Sequence, residues 1–283
     1  MEFSQSFRDV VHKRYSCRIY SEELMSETTR VELETFIVNL PQGPFKSPCR
    51  YQLTAMDGKT ENPLHGLGTY GVIKQPSGFI IGATVDGEKN LEDFGYQMEL
   101  LILKAADLGL GTCWLGGSFT RSTFSKRMAV RKDEILPAVV SIGRPDLEKT
   151  REQIDMSRKR FDPEKLFFSG NFTHPLTYSE VGDFAFPLEM VRLAPSAKNY
   201  QPWRVVKAGN NWHFYLQRTR SYREMVVPAI TGIADLQRLD MGIAMSHFEL
   251  AAREAGLTGR WQVEDPGIEK TGKLMEYSVS WVQ

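Results

Sequence analysis

Leu193-Ala-Pro-Ser-Ala-Lys-Asn-Tyr-Gln-Pro-Trp-Arg-Val-Val206 is the stretch around which the chain is organised. Pro195 and Pro202 lack a backbone N–H, so no regular helix runs across it. Gln201 stands before a proline, which favours extended geometry there. Ser196 and Asn199 are short polar residues that can hydrogen-bond a backbone or a ligand. Trp203 to Val206 then reads as the start of a strand. The stretch is therefore a stiff polar loop between an apolar helix end and a strand. Its composition fits both a plain connecting turn and a wall for the polar edge of a flat ligand.

Working outward, the clearest helix spans Asp93 to Leu108, with Phe94, Met98, Leu101, Ile102 and Ala105 on one face and Gly109 placed to stop it. Asp93 to Trp114 aligns without gaps on Asp240 to Trp261: Asp, Gly, Gly-Leu and Trp recur in register, and a double alanine recurs one residue out of step. A proline-containing loop and a strand precede each copy, Pro48 to Ala55 in one and Pro202 to Ala208 in the other. Elsewhere, Phe7 to Tyr15 reads as a helix, Ser26 opens a second, and Pro41 to Pro48 is a loop. Arg50 to Ala55, Gly78 to Val85 and Ile135 to Gly143 read as strands, and Leu64 to Lys74 and Leu110 to Phe119 as loops.

The totals narrow the function classes. The 283 residues carry no net charge, which argues against a general nucleic-acid partner, and 41% of them are hydrophobic, enough for a real core. Cys17, Cys49 and Cys113 are few, odd in number and scattered, fitting a reducing compartment rather than a disulfide framework. The five histidines share no ligand spacing, so no metal site is expected. No apolar run approaches the roughly 20 residues of a membrane span. The expectation is a cytoplasmic protein with neither nucleic acid nor membrane as partner.

Four segments resemble the nitroreductase family of FMN-dependent oxidoreductases. Arg14-x-Ser16-x-Arg18 with Tyr20 is similar to its N-terminal flavin motif, and Ala194 to Trp203 to its Pro-Ser signature. Ala105 to Gly117, ending Leu115-Gly116-Gly117, resembles its glycine segment over the flavin, and Arg158-x-Arg160 its basic phosphate pair. The order departs from the family. The place after the first motif holds Leu40 to Cys49 instead of the Pro-Ser loop, and Trp261 is followed by Gln-Val-Glu rather than Leu-Gly-Gly. In the family, flavin lies between two identical subunits, each lending its Pro-Ser loop to the other's site. The resemblance therefore implies a tandem-repeat member, a monomeric pseudo-dimer with one flavin site. Residues 1–172 would form the first repeat and 173–283 a shorter second, sharing one core. The implied fold is α+β, a mostly antiparallel sheet flanked by helices.

These residue types suit FMN. Arginine supplies fixed fork donors for a phosphate, the role expected of Arg14, Arg158 and Arg160. Ser16 would donate to the ribityl or pyrimidine edge. Arg18, with Lys74 behind it, would favour the negative charge of a reduced flavin. Leu115, Gly116 and Gly117 would bring backbone N–H groups close, since glycine has no side chain. Pro195, Ser196 and Asn199 would line the opposite edge or the ribityl chain, and Tyr70, in the Gly66 to Gly71 loop, would touch substrate. Arg121 serves as the comparison: Arg14→Ala should weaken FMN binding more than Arg121→Ala. No protein acid or base is required, since the cofactor carries the chemistry. The implied activity moves hydride from NADH or NADPH through flavin N5 to an electron-poor acceptor such as a nitroaromatic or quinone. The alternatives are a flavin-binding regulatory protein without turnover, or another flavin reaction on the same scaffold.

Overall fold

The computed structural model describes residues 3–59, 61–150, 154, 159–220 and 232–283. They fall into two compact units, Met1–Lys159 and Arg160–Gln283. The division precedes the expected 172/173 boundary for a physical reason. Strand β6 (Phe167–Ser169) pairs in parallel with β7 (Trp203–Ala208), which draws the intervening chain into the second unit.

In the first unit, helix α1 (Phe7–Lys13) gives way at Arg14 to extended backbone, φ −68° and ψ 128°. Helix α2 (Glu27–Val38) starts where expected, because the Ser26 side chain accepts the Thr29 N–H. Strands β1 (Cys49–Ala55) and β2 (Gly78–Val85) pair antiparallel, and helix α3 (Asn90–Asp107) follows. Then come β3 (Gly111–Leu115), helix α4 (Arg121–Met128), β4 (Glu134–Ile135) and β5 (Val139–Gly143). The sheet order is β1-β2-β5-β3, with β4 pairing β2, and every pairing is antiparallel.

Two expectations are corrected here. Gly111 to Leu115, taken as loop, is a strand, because its backbone finds a full set of partners on β5 from Gly111↔Gly143 to Leu115↔Val139. The run Ile135 to Gly143 is two strands, because Pro137 has no N–H to donate to a ladder.

Helix α3 is buried on nearly all sides. Phe94 is fully buried, which contributes about 1.5–3 kcal/mol for a side chain of this kind. It reaches the sheet through Gly82, where an added Cβ would lie 2.7 Å from both Phe94 Cε2 and Tyr51 Cδ1. The helix ends in a Schellman motif: Leu110 N–H bonds the Ala105 carbonyl at 2.9 Å and Gly109 N–H, at φ +77°, the Ala106 carbonyl at 3.0 Å.

In the second unit, β6 is followed by short helix α5 (Tyr178–Val181) and by α6 (Ala185–Leu193). The proline-flanked loop leads into β7, then β8 (Asn211–Gln217), helix α7 (Leu236–Glu254), β9 (Arg260–Gln262) and β10 (Met275–Val282). The sheet order is β6-β7-β8-β10-β9. Its core is aromatic: Phe248 of α7 lies 5.3 Å from Phe214, 5.7 Å from Trp281 and 5.9 Å from Trp261, ring centre to ring centre.

The two sheets run in corresponding order, β1-β2-β5-β3 and β7-β8-β10-β9, each with its long helix between the second strand and the next. Helix α7 also ends in a Schellman motif, with Leu257 N–H on the Ala252 carbonyl at 2.8 Å and Gly256 N–H on that of Arg253 at 3.0 Å. Trp114 donates to Glu99 Oε2 at 2.9 Å, and Trp261 to Glu249 Oε2 at 2.7 Å. The aligned aspartates both hold the loop before their unit's first long strand. Asp93 accepts Phe45 N–H at 3.0 Å and Ser47 N–H at 2.7 Å, while Asp240 accepts Ala197 N–H at 2.9 Å.

Candidate functional site

In the first unit, the residues singled out from the sequence gather along one edge of the sheet. β3 is the outermost strand, and the extended chain after α1 runs parallel beside it. Ser16 bridges Thr112, and Cys17 N–H bonds the Thr112 carbonyl at 2.9 Å. Extended backbone points alternate side chains to opposite faces. Tyr15 and Cys17 enter a buried cluster with Ile73, Phe79, Cys113 and Leu115, which Tyr20 also joins farther along the segment. Arg14, Ser16 and Arg18 share the other parity. The same segment then pairs with Lys74: Lys74 N–H bonds the Arg18 carbonyl at 2.8 Å and Tyr20 N–H the Lys74 carbonyl at 3.1 Å.

The charges on this edge differ in setting. Arg14 is 7% exposed, and its Nε is buried without a hydrogen-bond partner. Burial lowers its pKa, and the nearby Glu99 carboxylate opposes that shift. Arg18 and Lys74 are exposed. Arg18 and Arg14 both act on Cys113, whose thiol is nonetheless pushed up by burial. Two cations on one strand segment thus lie within electrostatic reach of the same sulfur. Cys17 is pushed up to about 11 by burial, so neither thiol is a reactive thiolate at neutral pH.

Beyond Leu115 the chain bends through Gly116 and Gly117 towards α4. Thr120, which precedes that helix, donates its N–H to the Gly68 carbonyl at 2.9 Å. This brings the Gly66 to Gly71 loop beside the glycine segment. The backbone of that loop is unusual: Tyr70 has φ +50° between Gly66 at +82° and Gly71 at +75°, and its side chain is 71% exposed. Arg121 donates to the Gly116 and Leu136 carbonyls, the former at 3.2 Å, and lies 4.8 Å over the Phe119 ring. Sequence reasoning had used Arg121 only as a comparison; it is bonded to one of the candidate residues.

In the second unit the proline-flanked loop is held from within. Ser196 Oγ accepts Gln201 N–H at 2.8 Å. Asn199 Oδ1 accepts from Gln201 Nε2 and from Arg160, both at 3.3 Å, and Arg160 also bonds the Leu193 carbonyl at 2.8 Å. Arg160 therefore belongs with the Pro195, Ser196 and Asn199 loop rather than with the first half, where the sequence had grouped it. Arg158 lies outside the described residues. Gln201 corrects its expectation: its φ is +47°, not extended. The buried Gln201 side chain accepts Phe161 N–H at 2.8 Å, and these bonds override the local preference before Pro202. Lys198 and Asn199 also have positive φ, +50° and +57°. Arg204 donates to the Gln201 and Trp203 carbonyls, and burial lowers its pKa to about 10.

No group of His, Cys, Asp or Glu among the described residues is placed to hold a metal ion, and no helix among them is long and apolar enough to cross a membrane.

This edge of the sheet thus gathers cations, a glycine turn and an exposed aromatic. A family model described as "Putative TM nitroreductase" matches residues 7–252. The chain belongs to this nitroreductase family, and as such is an oxidoreductase with a nitroreductase-like α+β fold. The solved structure of a "putative nitroreductase" from Thermotoga maritima is 19% identical, with a TM-score of 0.62, over 100% of this chain and 95% of that one. Shorter proteins match about half of the chain. A "putative nitroreductase in complex with fmn" from Desulfovibrio desulfuricans is 20% identical over 50% of this chain and 88% of its own, at a TM-score of 0.41. A protein from Bacteroides thetaiotaomicron described as a "Putative NADH dehydrogenase/NAD(P)H nitroreductase" is 17% identical over 58% and 96%, at 0.45. No curated protein matches the sequence.

Proposed function

We propose that the protein binds FMN and uses NADH or NADPH to reduce a small electron-poor acceptor, such as a nitroaromatic or a quinone. The observation that carries this reading is the edge built on β3. Arg14, Ser16 and Arg18 alternate along a segment pinned to Thr112 and Lys74, and β3 runs straight into Leu115, Gly116 and Gly117. The residues fit the cofactor. The buried Arg14 has a donor to spare, which suits an oxygen-rich anion. The exposed Arg18 and Lys74 add positive charge beside it.

FMN, when bound, supplies the hydride chemistry. Arg14 would hold the phosphate, Ser16 the ribityl or pyrimidine edge, and Arg18 with Lys74 would favour the reduced form. Gly116 and Gly117 would let backbone approach the ring, and Tyr70 would meet the acceptor. Pro195, Ser196 and Asn199 are proposed as flavin-binding residues of the second unit, with Arg160 holding Asn199 in place. The matching strand order and the paired Asp and Trp contacts support reading the chain as a tandem repeat. The three free cysteines support a reducing, cytoplasmic setting.

The test is direct. Purified protein incubated with FMN and desalted should stay yellow, and anaerobic NADH or NADPH should bleach it in a stopped-flow experiment. Protein that takes up no FMN overturns the reading; protein that binds FMN but is reduced by neither nucleotide leaves a flavin-binding protein without this activity.

A further inference from the structure

Arg121 occupies an electrostatically costly place. It is the first residue of α4, where the positive end of the helix dipole disfavours a cation. It is half-buried, and burial lowers its pKa. None of the ion pairs among the described residues includes it. Its partners are the Gly116 and Leu136 carbonyls and the Phe119 ring. A guanidinium on two carbonyl oxygens keeps its whole charge, since neither partner is an anion. By contrast, Arg50 meets Glu134, Arg192 meets Glu189, and Arg218 meets both Asp235 and Glu276. The uncompensated charge is fixed on the carbonyl of Gly116, one of the residues proposed to approach the flavin ring. The α4 end and the guanidinium add positive potential at the same few residues, met by two carbonyl oxygens and the Phe119 ring but by no carboxylate among the described residues.

We propose that Arg121 is a positioning residue for the flavin: it fixes the Gly116 carbonyl and holds an unneutralised charge there, so that reduced, anionic flavin is bound more tightly than oxidised flavin. This rests on the FMN reading above. It assigns to the first unit a redox-tuning cation distinct from Arg18 and Lys74, carried on a helix rather than on the extended segment. Fixed charge near the ring is the means by which a protein adjusts flavin potential. A half-buried charge is screened less than an exposed one, so Arg121 has the advantage over the exposed Arg18.

The experiment uses the full-length protein loaded with FMN. Dissociation constants for oxidised and reduced FMN and the two-electron midpoint potential are measured for wild type, Arg121→Gln and Arg121→Lys. Thermal unfolding of each apoprotein is recorded alongside. Glutamine keeps an N–H donor for the Gly116 carbonyl and removes the charge; lysine keeps the charge and loses the fork. For Arg121→Gln, binding of reduced FMN should weaken about tenfold more than that of oxidised FMN, lowering the potential by about 30 mV. Arg121→Lys should stay within about threefold of wild type in that ratio. Equal weakening of both redox forms, or a change in apoprotein unfolding with the ratio unmoved, overturns the proposal while leaving the FMN reading intact. Wild-type protein that takes up no FMN overturns both. Should Arg121→Gln not fold, the lysine variant decides: a fall in its ratio like that expected for loss of charge refutes the electrostatic role.

Discussion

The Asp240 carboxylate accepts the Ala197 N–H at 2.9 Å, tying helix α7 to the loop between α6 and β7. Asp93 does the same for the loop before β1, through Phe45 and Ser47. Both aspartates are buried, 2% and 0% exposed. Removing either leaves loop amides without their acceptor. Asp240→Ala and Asp93→Ala should each lower stability by about 1–3 kcal/mol in urea unfolding. Asp93→Ala, which frees two amides rather than one, should cost more. An exposed-residue effect, within about 0.5 kcal/mol for either variant, would show that these carboxylates do not hold the loops.

Gly82 is required by the approach of α3 to the sheet rather than by its backbone angles. A methyl group there would meet Phe94 and Tyr51 at 2.7 Å. Gly82→Ala should destabilise the protein by about 1–3 kcal/mol through overpacking. Gly87, whose added Cβ would meet nothing within 4 Å, is the control and should change stability by less than about 0.5 kcal/mol as alanine.

Arg50 grips Glu134 with two hydrogen bonds, at 2.8 and 2.7 Å, and reaches the Met128 and Ala129 carbonyls at the end of α4. The hydrogen bonds from Arg50 lower the Glu134 pKa from 4.5 to about 2. A carboxyl whose folded pKa is depressed contributes stability that is complete above its unfolded value and lost as pH falls through the folded one. The contribution of this pair should therefore be full above pH 4.5 and disappear between there and about pH 2. Glu134→Gln should flatten the stability profile across that window. An unchanged slope would mean that the pair does not contribute.

Arg14 has two separable duties, one to Glu99 and one proposed to FMN. Arg14→Ala should weaken FMN binding about tenfold or more, through loss of charge-assisted hydrogen bonds. It should also destabilise the apoprotein by about 1–3 kcal/mol, since the buried Glu99 loses its nearby cation. Adding Glu99→Gln to Arg14→Ala should restore most of the stability and none of the FMN affinity. Recovery of both together would assign Arg14 to structure alone.

Much of this organisation was legible because it rests on local rules. Asp93 to Leu108 is periodic, and Gly109-Leu110 specifies a helix stop that recurs at Gly256-Leu257. Ser26 announces its helix. What stayed hidden depends on distant partners. Gly111 to Leu115 is bracketed by glycines and reads as loop; only β5 and the segment around Ser16 make it a strand. Gln201 takes a left-handed backbone because Ser196 and Phe161 claim its hydrogen bonds, and no rule for the residue before proline includes them. Arg160 sits close in sequence to the first half, yet its guanidinium is bound to Leu193 and Asn199. Arg121 carried no signal at all: an arginine opening a short helix resembles a surface cation until its two carbonyl partners are seen.

The bridge between Ser16 and Thr112 has a further consequence. An outermost strand ordinarily presents a row of unsatisfied amides and carbonyls on which a strand from another chain can template itself. In the first unit the protein's own N-terminal segment covers that rim at Thr112, and is held on either side by α1 and Lys74. Cutting the chain back beyond Arg18 should expose it, and the truncated protein should self-associate into fibrils that the intact protein resists.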